Sequence, residues 1–238
     1  MKFSIITPVL NAAATIERTI VSVLEQQGEV EYLVIDGGST DGTQDVVGRY
    51  RDRIAYFQSR PDRGLYDAMN QGIMHSTGDI VGIINADDWY FPGAVELARG
   101  AFESSGSGNA VFWGDVEYEH QGRVRGYRPW KLGIGAFAPH PSMFVPRKMY
   151  DLVGVYDLAY KYLADYDFMY RAVRNFRLKV IYSPRLVAHF SESGLSGAHV
   201  AECLREEYAI HLAHGMPPWR ARLMYELKLL KNRHRIRP

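Results

Sequence analysis

Two adjacent carboxylates, Asp87 and Asp88, stand where the strand ends in the stretch Ser76-Thr-Gly-Asp-Ile-Val-Gly-Ile-Ile-Asn-Ala-Asp-Asp-Trp-Tyr-Phe-Pro92. Ile80, Val81, Ile83 and Ile84 before them form the short apolar run of a strand covered on both faces. No basic residue stands nearby in sequence to neutralise the pair. Carboxylates this close repel, and open α/β sheets bind ligands at the carboxyl ends of their strands. A hard divalent cation holding a phosphate meets both conditions. The competing reading makes Asp88 the cap of a helix whose first turn carries Pro92. A further acid, Asp36, ends the run Val30 to Ile35 and precedes Gly37-Gly-Ser-Thr-Asp-Gly42. Nucleotide-binding folds hold an acid there for ribose or base contacts, whereas an Asx-turn opening the loop is the plainer alternative.

The elements that must position these acids alternate. Lys2 to Thr7 reads as a strand ended by Pro8, and Ile16, Ile20, Val23 and Leu24 recur at helical spacing up to Gly28. The strand Val30 to Ile35 follows, then a short helix with Val46, Val47 and Tyr50. A strand Ile54 to Gln58 precedes a helix with Leu65, Met69, Gly72 and Ile73, which Gly78 closes before the strand leading to Asp87. This order predicts a parallel sheet with helices on its faces. After Pro92 come a helix through Val95, Ala98 and Phe102 and a loop, Ser104 to Gly108. Ala110 to Glu119 and Arg123 to Tyr127 form a hairpin around His120-Gln-Gly122. Leu132 to Pro146 is punctuated by Gly and Pro and reads as a segment lining or closing a site. A helix, Asp165 to Asn175, and a strand, Leu178 to Tyr182, complete the body, and the chain is helical and basic from about His199.

Bulk composition narrows the class. The 238 residues are 47% hydrophobic and 23% charged, enough for a substantial core in a water-exposed protein. A net charge of +1 argues against wholesale nucleic-acid binding. The single Cys203 cannot form an internal disulfide, which suits a reducing compartment and predicts a cytoplasmic location. Met1 to Ala14 has the charge and apolar run of a leader, but Pro8 and Asn11 break it, and a first core strand is expected instead. No run approaches the ~20 apolar residues of a membrane span, so any membrane contact is expected to be peripheral.

The first turn, Thr7-Pro-Val-Leu-Asn11, lacks G-x-G-x-x-G, and G-x-x-x-x-G-K-[ST] is absent, which disfavours dinucleotide and P-loop folds. What the chain does carry is an ordered set of motifs. Ile5-Ile-Thr-Pro-Val-Leu-Asn11, Val34-Ile-Asp-Gly-Gly-Ser-Thr-Asp-Gly-Thr43, Asp62-Arg-Gly-Leu-Tyr-Asp-Ala-Met-Asn-Gln-Gly72, Ile84-Asn-Ala-Asp-Asp-Trp89, His140-Pro-Ser-Met-Phe144 and Leu163-Ala-Asp-Tyr-Asp167 follow one another at suitable spacing. Over roughly residues 3 to 195 the chain resembles the family 2 glycosyltransferases. The resemblance implies an α/β fold of GT-A type: a mostly parallel nucleotide-binding sheet flanked by helices, with a smaller acceptor-side β-hairpin region and a helical C-terminus. The GT-A domain is expected over 1–198, and the residues beyond the resemblance are expected to form a basic helical extension over 199–238.

By position, Thr7, Pro8, Asn11 and Asp36 resemble the pocket for base and ribose, with Arg63, Asn85 and Asp87 along the donor diphosphate. Asp87 and Asp88 resemble the D-x-D metal site for Mn²⁺ or Mg²⁺, and His189 lies where many relatives place a late metal ligand. A strand-end histidine held in the core is the alternative for His189. Asp165 resembles the base that takes the acceptor's proton, and a helix N-cap is its other reading. Asp115 and His140 fall on the acceptor side. Departures are plain: Asn85 replaces the first acid of D-x-D, Ala164 replaces a usual Glu, and Met69 stands where many relatives have Arg, with Arg60 or Arg63 as substitutes.

The implied reaction is inverting transfer of a single sugar, because the Q-x-x-R-W signature of processive synthases is absent. The implied partners are a nucleotide-diphosphate sugar and a carbohydrate or lipid-linked oligosaccharide of a bacterial surface polysaccharide. A sugar-phosphate nucleotidyltransferase and a catalytically silent membrane-associated protein of the same fold are the competing classes. The tail from Trp219 sets Arg220, Arg222, Lys228, Lys231, Arg233, Arg235 and Arg237 against Glu226 alone. It reads as a basic helix for an anionic membrane surface, on the inner face of the membrane, or as a helix packed by Leu223, Leu227 and Leu230.

Overall fold

A nine-stranded sheet runs through the molecule in the order β3-β2-β1-β4-β8-β6-β9-β5, with β7 paired to β6. The structure is a computed structural model and describes residues 1–106, 109–127, 139–175, 178–191 and 199–236. Strands β1 (Phe3–Val9), β2 (Val30–Asp36), β3 (Tyr56–Ser59) and β4 (Ile80–Ile83) pair in parallel. Helices α1 (Ile16–Leu24), α2 (Thr43–Gly48) and α3 (Leu65–His75) make the crossovers. Alternation along β1 divides the core. Phe3 and Ile5 join Ile16, Ile20, Val23, Val47 and Val95 on one face, while Ile6 joins Leu33, Met69, Ile73 and Val81 on the other. Gly72 lets α3 approach β1, since a Cβ there would lie 2.3 Å from the Ile6 side chain.

The second half departs from a simple parallel sheet. Strand β8 (Met143–Pro146) lies between β4 and β6 (Ala110–Tyr118), antiparallel to both. The sequence places this segment at the edge of a site, yet Met143, Phe144 and Val145 are buried in the sheet's centre. The part of that segment over 132–138, and the loop positions 107–108, lie outside the described residues. Strand β9 (Lys179–Phe190) is far longer than the expected Leu178 to Tyr182. Its pairing with β6 steps from Gly114↔Ser183 to Asp115↔Leu186, so Pro184 and Arg185 fall in a bulge, and the strand resumes beyond it to pair with β5 (Trp89–Tyr90).

Helix α4 (Ala94–Ser105) begins at Gly93, not at Asp88, which removes the capping role weighed for that acid. Gly78 is likewise a close-approach glycine: a Cβ would lie 2.7 Å from Ser4, and α3 already ends at His75. The hairpin forms between β6 and β7 (Gly122–Val124). Helix α5 (Arg147–Val153) follows β8, and α6 (Ala164–Tyr170) continues as a π-turn over Arg171–Asn175 rather than as one α-helix. Helices α7 (Val200–Ala213) and α8 (Pro218–Lys231) follow, then a short helix α9 (Arg233–Ile236), with Ile210 of α7 fully buried in the core.

Candidate active site

The first loops meet at the carboxyl ends of β1 and β2. Asn11 takes a left-handed backbone (φ 51°), and its Oδ1 accepts the Thr40 N–H at 2.9 Å while its own N–H donates to Ser39 Oγ at 2.7 Å. Ala12 N–H donates to Thr43 Oγ1 and Ala13 N–H to Asp41 Oδ2, both at 2.9 Å. Seven residues of two loops are thereby locked together. Thr7 and Asp36 lie beneath this surface, fully buried. Thr7 accepts the Tyr32 hydroxyl at 3.0 Å. Asp36 accepts the Ser39 N–H and hydroxyl and the Ser59 hydroxyl, at 3.0, 2.5 and 2.6 Å. The loop-opening alternative for Asp36 is therefore realised, and Pro8 is buried beside it. Arg63 is exposed and holds Asp67 at 3.0 Å.

Asp87 and Asp88 diverge. Asp88 is buried, its Oδ1 accepting the Ser191 N–H at 2.8 Å and its Oδ2 facing Asn85 Nδ2 at 3.4 Å. Burial and then the charge of Asp87 push its pKa well above the carboxylate range. Asp87 is half-buried, and burial raises its pKa too. No side-chain or backbone donor from another described residue reaches Asp87, and the buried Asn85 Oδ1 has no partner.

His189 sits in register opposite Trp89 and stacks on it, ring centroids 3.5 Å apart, with the Arg18 guanidinium carbon 3.1 Å from the Trp89 centroid. Its Nδ1 is buried without a partner, and burial lowers its pKa. Among the described residues no three His, Cys, Asp or Glu side chains form a metal cage. The expected set of Asp87, Asp88 and His189 is thus not preassembled. What fits a hard cation is a smaller set, the Asp87 carboxylate and Asn85 Oδ1. Mg²⁺ in particular takes one or two protein oxygens and completes its shell with phosphate and water.

A second cluster gathers around α6. Tyr66 of α3 lies with its hydroxyl 2.9 Å from both Asp165 Oδ1 and the Tyr162 carbonyl, donating to them. The other Asp165 oxygen has no donor among the described residues, and the side chain is half-buried. His140 Nε2 is 3.0 Å from the Tyr156 hydroxyl, and Asn70 fixes Tyr156 by accepting its N–H and donating to its carbonyl. Burial lowers the His140 pKa, and the charge of Asp165 opposes that shift, which places the two within electrostatic reach.

Asp165 does not cap α6, because the cap position is Leu163. Instead Glu206 of α7 accepts the N–H groups of Lys161, Tyr162 and Leu163 at 2.7, 2.8 and 2.9 Å. Tyr66, Asn70 and Glu206 escaped the sequence reading. The first two stand in a motif it quoted, but nothing local marks Glu206. Asp115 lies apart from this cluster. It accepts Arg123 Nε, the Gly126 N–H and the Tyr182 hydroxyl at 2.8, 3.0 and 2.6 Å, and so ties β6 to the hairpin and to β9.

Residues 4–152 match the model of glycosyl transferase family 2. The chain belongs to that family. It is 36% identical over 178 residues to an uncharacterized glycosyltransferase of Mycobacterium tuberculosis, covering 71% of this chain and 68% of the relative. A PGL/p-HBAD biosynthesis glycosyltransferase of Mycobacterium bovis is 33% identical over 204 residues, 81% of this chain and 77% of the relative. Among solved structures, the fold matches residues 1–349 of S. aureus TarS with a TM-score of 0.70 at 18% identity, over 98% of this chain and 72% of that fragment. The match spans only 43% of the longer TarS chain. Mannosyltransferase PcManGT from Pyrobaculum calidifontis, solved with GDP-Man and Mn²⁺, matches with a TM-score of 0.68 at 18% identity, over 98% of this chain and 75% of that one. The GT-A architecture expected from the motifs is the observed one, and the family match displaces the nucleotidyltransferase alternative.

Proposed function

We propose that this family 2 glycosyltransferase moves a single sugar, with inversion, from a nucleotide-diphosphate sugar to an acceptor hydroxyl. Asp165 carries the reading: a half-exposed carboxylate with one oxygen fixed by Tyr66 and the other open. The open oxygen takes the acceptor proton as the acceptor oxygen bonds to the anomeric carbon. The bond from that carbon to the diphosphate oxygen breaks on the opposite face, and the nucleoside diphosphate leaves. Displacement in one step inverts the anomeric centre. His140 and Tyr156 flank the acceptor's approach, and Asp115 supports the hairpin on that side at a distance.

The locked loops of Asn11 and Ser39 to Thr43, underpinned by Thr7, Pro8 and Asp36, form the floor for base and ribose. Arg63 stands free enough to turn from Asp67 to a phosphate. Asp87 and Asn85 Oδ1 would hold Mn²⁺ or Mg²⁺, whose chemistry is to stabilise charge on the departing diphosphate. Fold neighbours solved with UDP, with UDP-GlcNAc, and with GDP-Man and Mn²⁺ support a donor of this class. The relative named for PGL/p-HBAD biosynthesis supports a polysaccharide or glycolipid product. In this reading a carbohydrate or lipid-linked oligosaccharide is the acceptor and the cytoplasm is the place of transfer.

Calorimetric titration of UDP and GDP, each with Mn²⁺ and with EDTA, tests the donor site. Binding of at least one nucleotide is expected to depend on the cation. Equal affinity with the chelator present sinks the metal-bridged diphosphate.

A further inference from the structure

Helix α8 leaves an apolar row uncovered. Trp219, Leu223, Leu227 and Leu230 are 71%, 52%, 58% and 64% exposed. At about 100° per residue these four positions fall within a stripe roughly 80° wide. The helix is nevertheless docked, by its opposite face. Ala221 is buried, the Tyr225 ring lies 5.5 Å from that of Tyr208 on α7, and Lys228 pairs with Glu207. The sequence allowed that Leu223, Leu227 and Leu230 were the packed face, and the structure turns them outward.

Cations border the row. Arg220 and Lys231 follow one edge and Arg222 the other, while Arg233 lies just beyond the last turn. Glu226 is the sole acid of α8, and it is paired with Arg222. A Trp-and-Leu stripe between Arg and Lys edges matches a bilayer, in which rings and leucines enter the headgroup boundary and cations meet anionic phosphates. A second copy of the chain would instead bring two sets of cationic edges together across the stripe.

We infer that the exposed face of α8 docks on an anionic phospholipid bilayer, with Trp219, Leu223, Leu227 and Leu230 in the interface. The surface stands on its own observations. Its consequence for the acceptor rests on the reaction proposed above: α8 packs on α7, and Glu206 of α7 holds the segment leading into Asp165, so a docked bilayer adjoins the acceptor side. A membrane-anchored acceptor would reach the base without leaving the bilayer.

The test is flotation of the whole chain with phosphatidylglycerol–phosphatidylcholine vesicles and with phosphatidylcholine vesicles alone. Binding is expected with the anionic vesicles at about 0.1 M salt, weakening at about 1 M as the charges are screened. The triple variant L223Q/L227Q/L230Q is expected to lower the partition at least ~10-fold. Lys231→Gln with Arg233→Gln is expected to lower it about 30-fold at low salt. All these side chains face solvent, so melting temperature and nucleotide affinity should stay as in the wild type; an intact donor site with no vesicle binding rejects the docking surface alone. Binding untouched by the leucine changes also overturns it. So does a concentration-dependent dimer that those changes abolish, because the stripe would then be a self-interface.

Discussion

Asp115 on β6 and Asp87 in the turn after β4 are carboxylates set back from solvent, and the protein treats them in opposite ways. At the junction of β6, β7 and β9, Asp115 receives three donors. Burial alone would raise its pKa, but the Tyr182, Gly126 and Arg123 bonds outweigh that and hold it below the carboxylate range. At the end of β4, Asp87 receives none from its neighbours, and burial raises it. The contrast recurs on α6. Asp167 is closed by Arg171 and His214, each at 2.8 Å, whereas Asp165 keeps one oxygen open. Buried polar groups in folded proteins are ordinarily partnered. The fold satisfies Asp115 and Asp167 fully and leaves Asp87 and Asp165 short, and in the proposed function another molecule completes the shell at those two.

The largest expected effect falls on Asp165. Asp165→Asn preserves volume and the contact with Tyr66 but cannot take a proton, so turnover should fall ~10²–10⁴-fold. Nucleotide affinity should hold. Asp167→Asn, two residues on and about 200° around the helix, should leave turnover near wild type and lower the melting temperature instead. Steady-state kinetics and thermal unfolding on the two variants separate the roles. Similar rates for both would erase the distinction between open and closed acids on α6.

How much of this was legible in sequence depended on how local the cause was. Strands β1, β2 and β4 announce themselves as apolar runs, but α1 already ends at Leu24 with Glu25 as its cap, and Gly28 takes its left-handed conformation (φ +90°) beyond the helix rather than closing it. The far half of β9 did not, because Pro184 and Arg185 break the alternation that the bulge then absorbs. Strand β8 was hidden by flanking prolines. Among the site residues, adjacency placed Asp87 and Asp88 together, but only the turn after β4 decides which points inward. Asp165 is singled out by its motif, while the residues that hold it are not. Tyr66 reaches it from α3, and Glu206 of α7 holds the residues just before it, and side-chain chemistry at such separation leaves no periodic trace.

A middle-sized effect is expected at the closed acid. Asp115→Asn puts an amide where three donors converge, leaving at least one of them facing a donor. A loss of about 2–3 kcal/mol at neutral pH is expected, measured by urea unfolding. The pH dependence carries the sign. A carboxyl depressed in the fold stabilises fully above its unfolded pKa of about 3.9, and the gain fades as pH falls through the folded value. The gap between wild type and variant should therefore be full at pH 7 and shrink below about pH 4. A gap independent of pH would mean that packing, not the charge, makes Asp115 matter.

The smallest stability change, and the sharpest use of the comparison, is expected at Asp87. Asp87→Asn removes a half-buried charge that no neighbour compensates and that lies beside a second carboxylate. An uncompensated charge in such a place costs the fold free energy, so its removal should leave stability unchanged or raise it by up to ~1 kcal/mol. That is opposite in sign to Asp115→Asn, although both exchange one oxygen for an NH₂ group. Function should move the other way: cation-dependent nucleotide binding is expected to weaken at least ~10-fold, because a neutral amide attracts a divalent ion far less than a carboxylate does. Urea unfolding and calorimetry on the same preparation read both quantities. A variant that loses stability as Asp115→Asn does would show that Asp87 already has its partners within the chain, and the open acid would then be no ligand site.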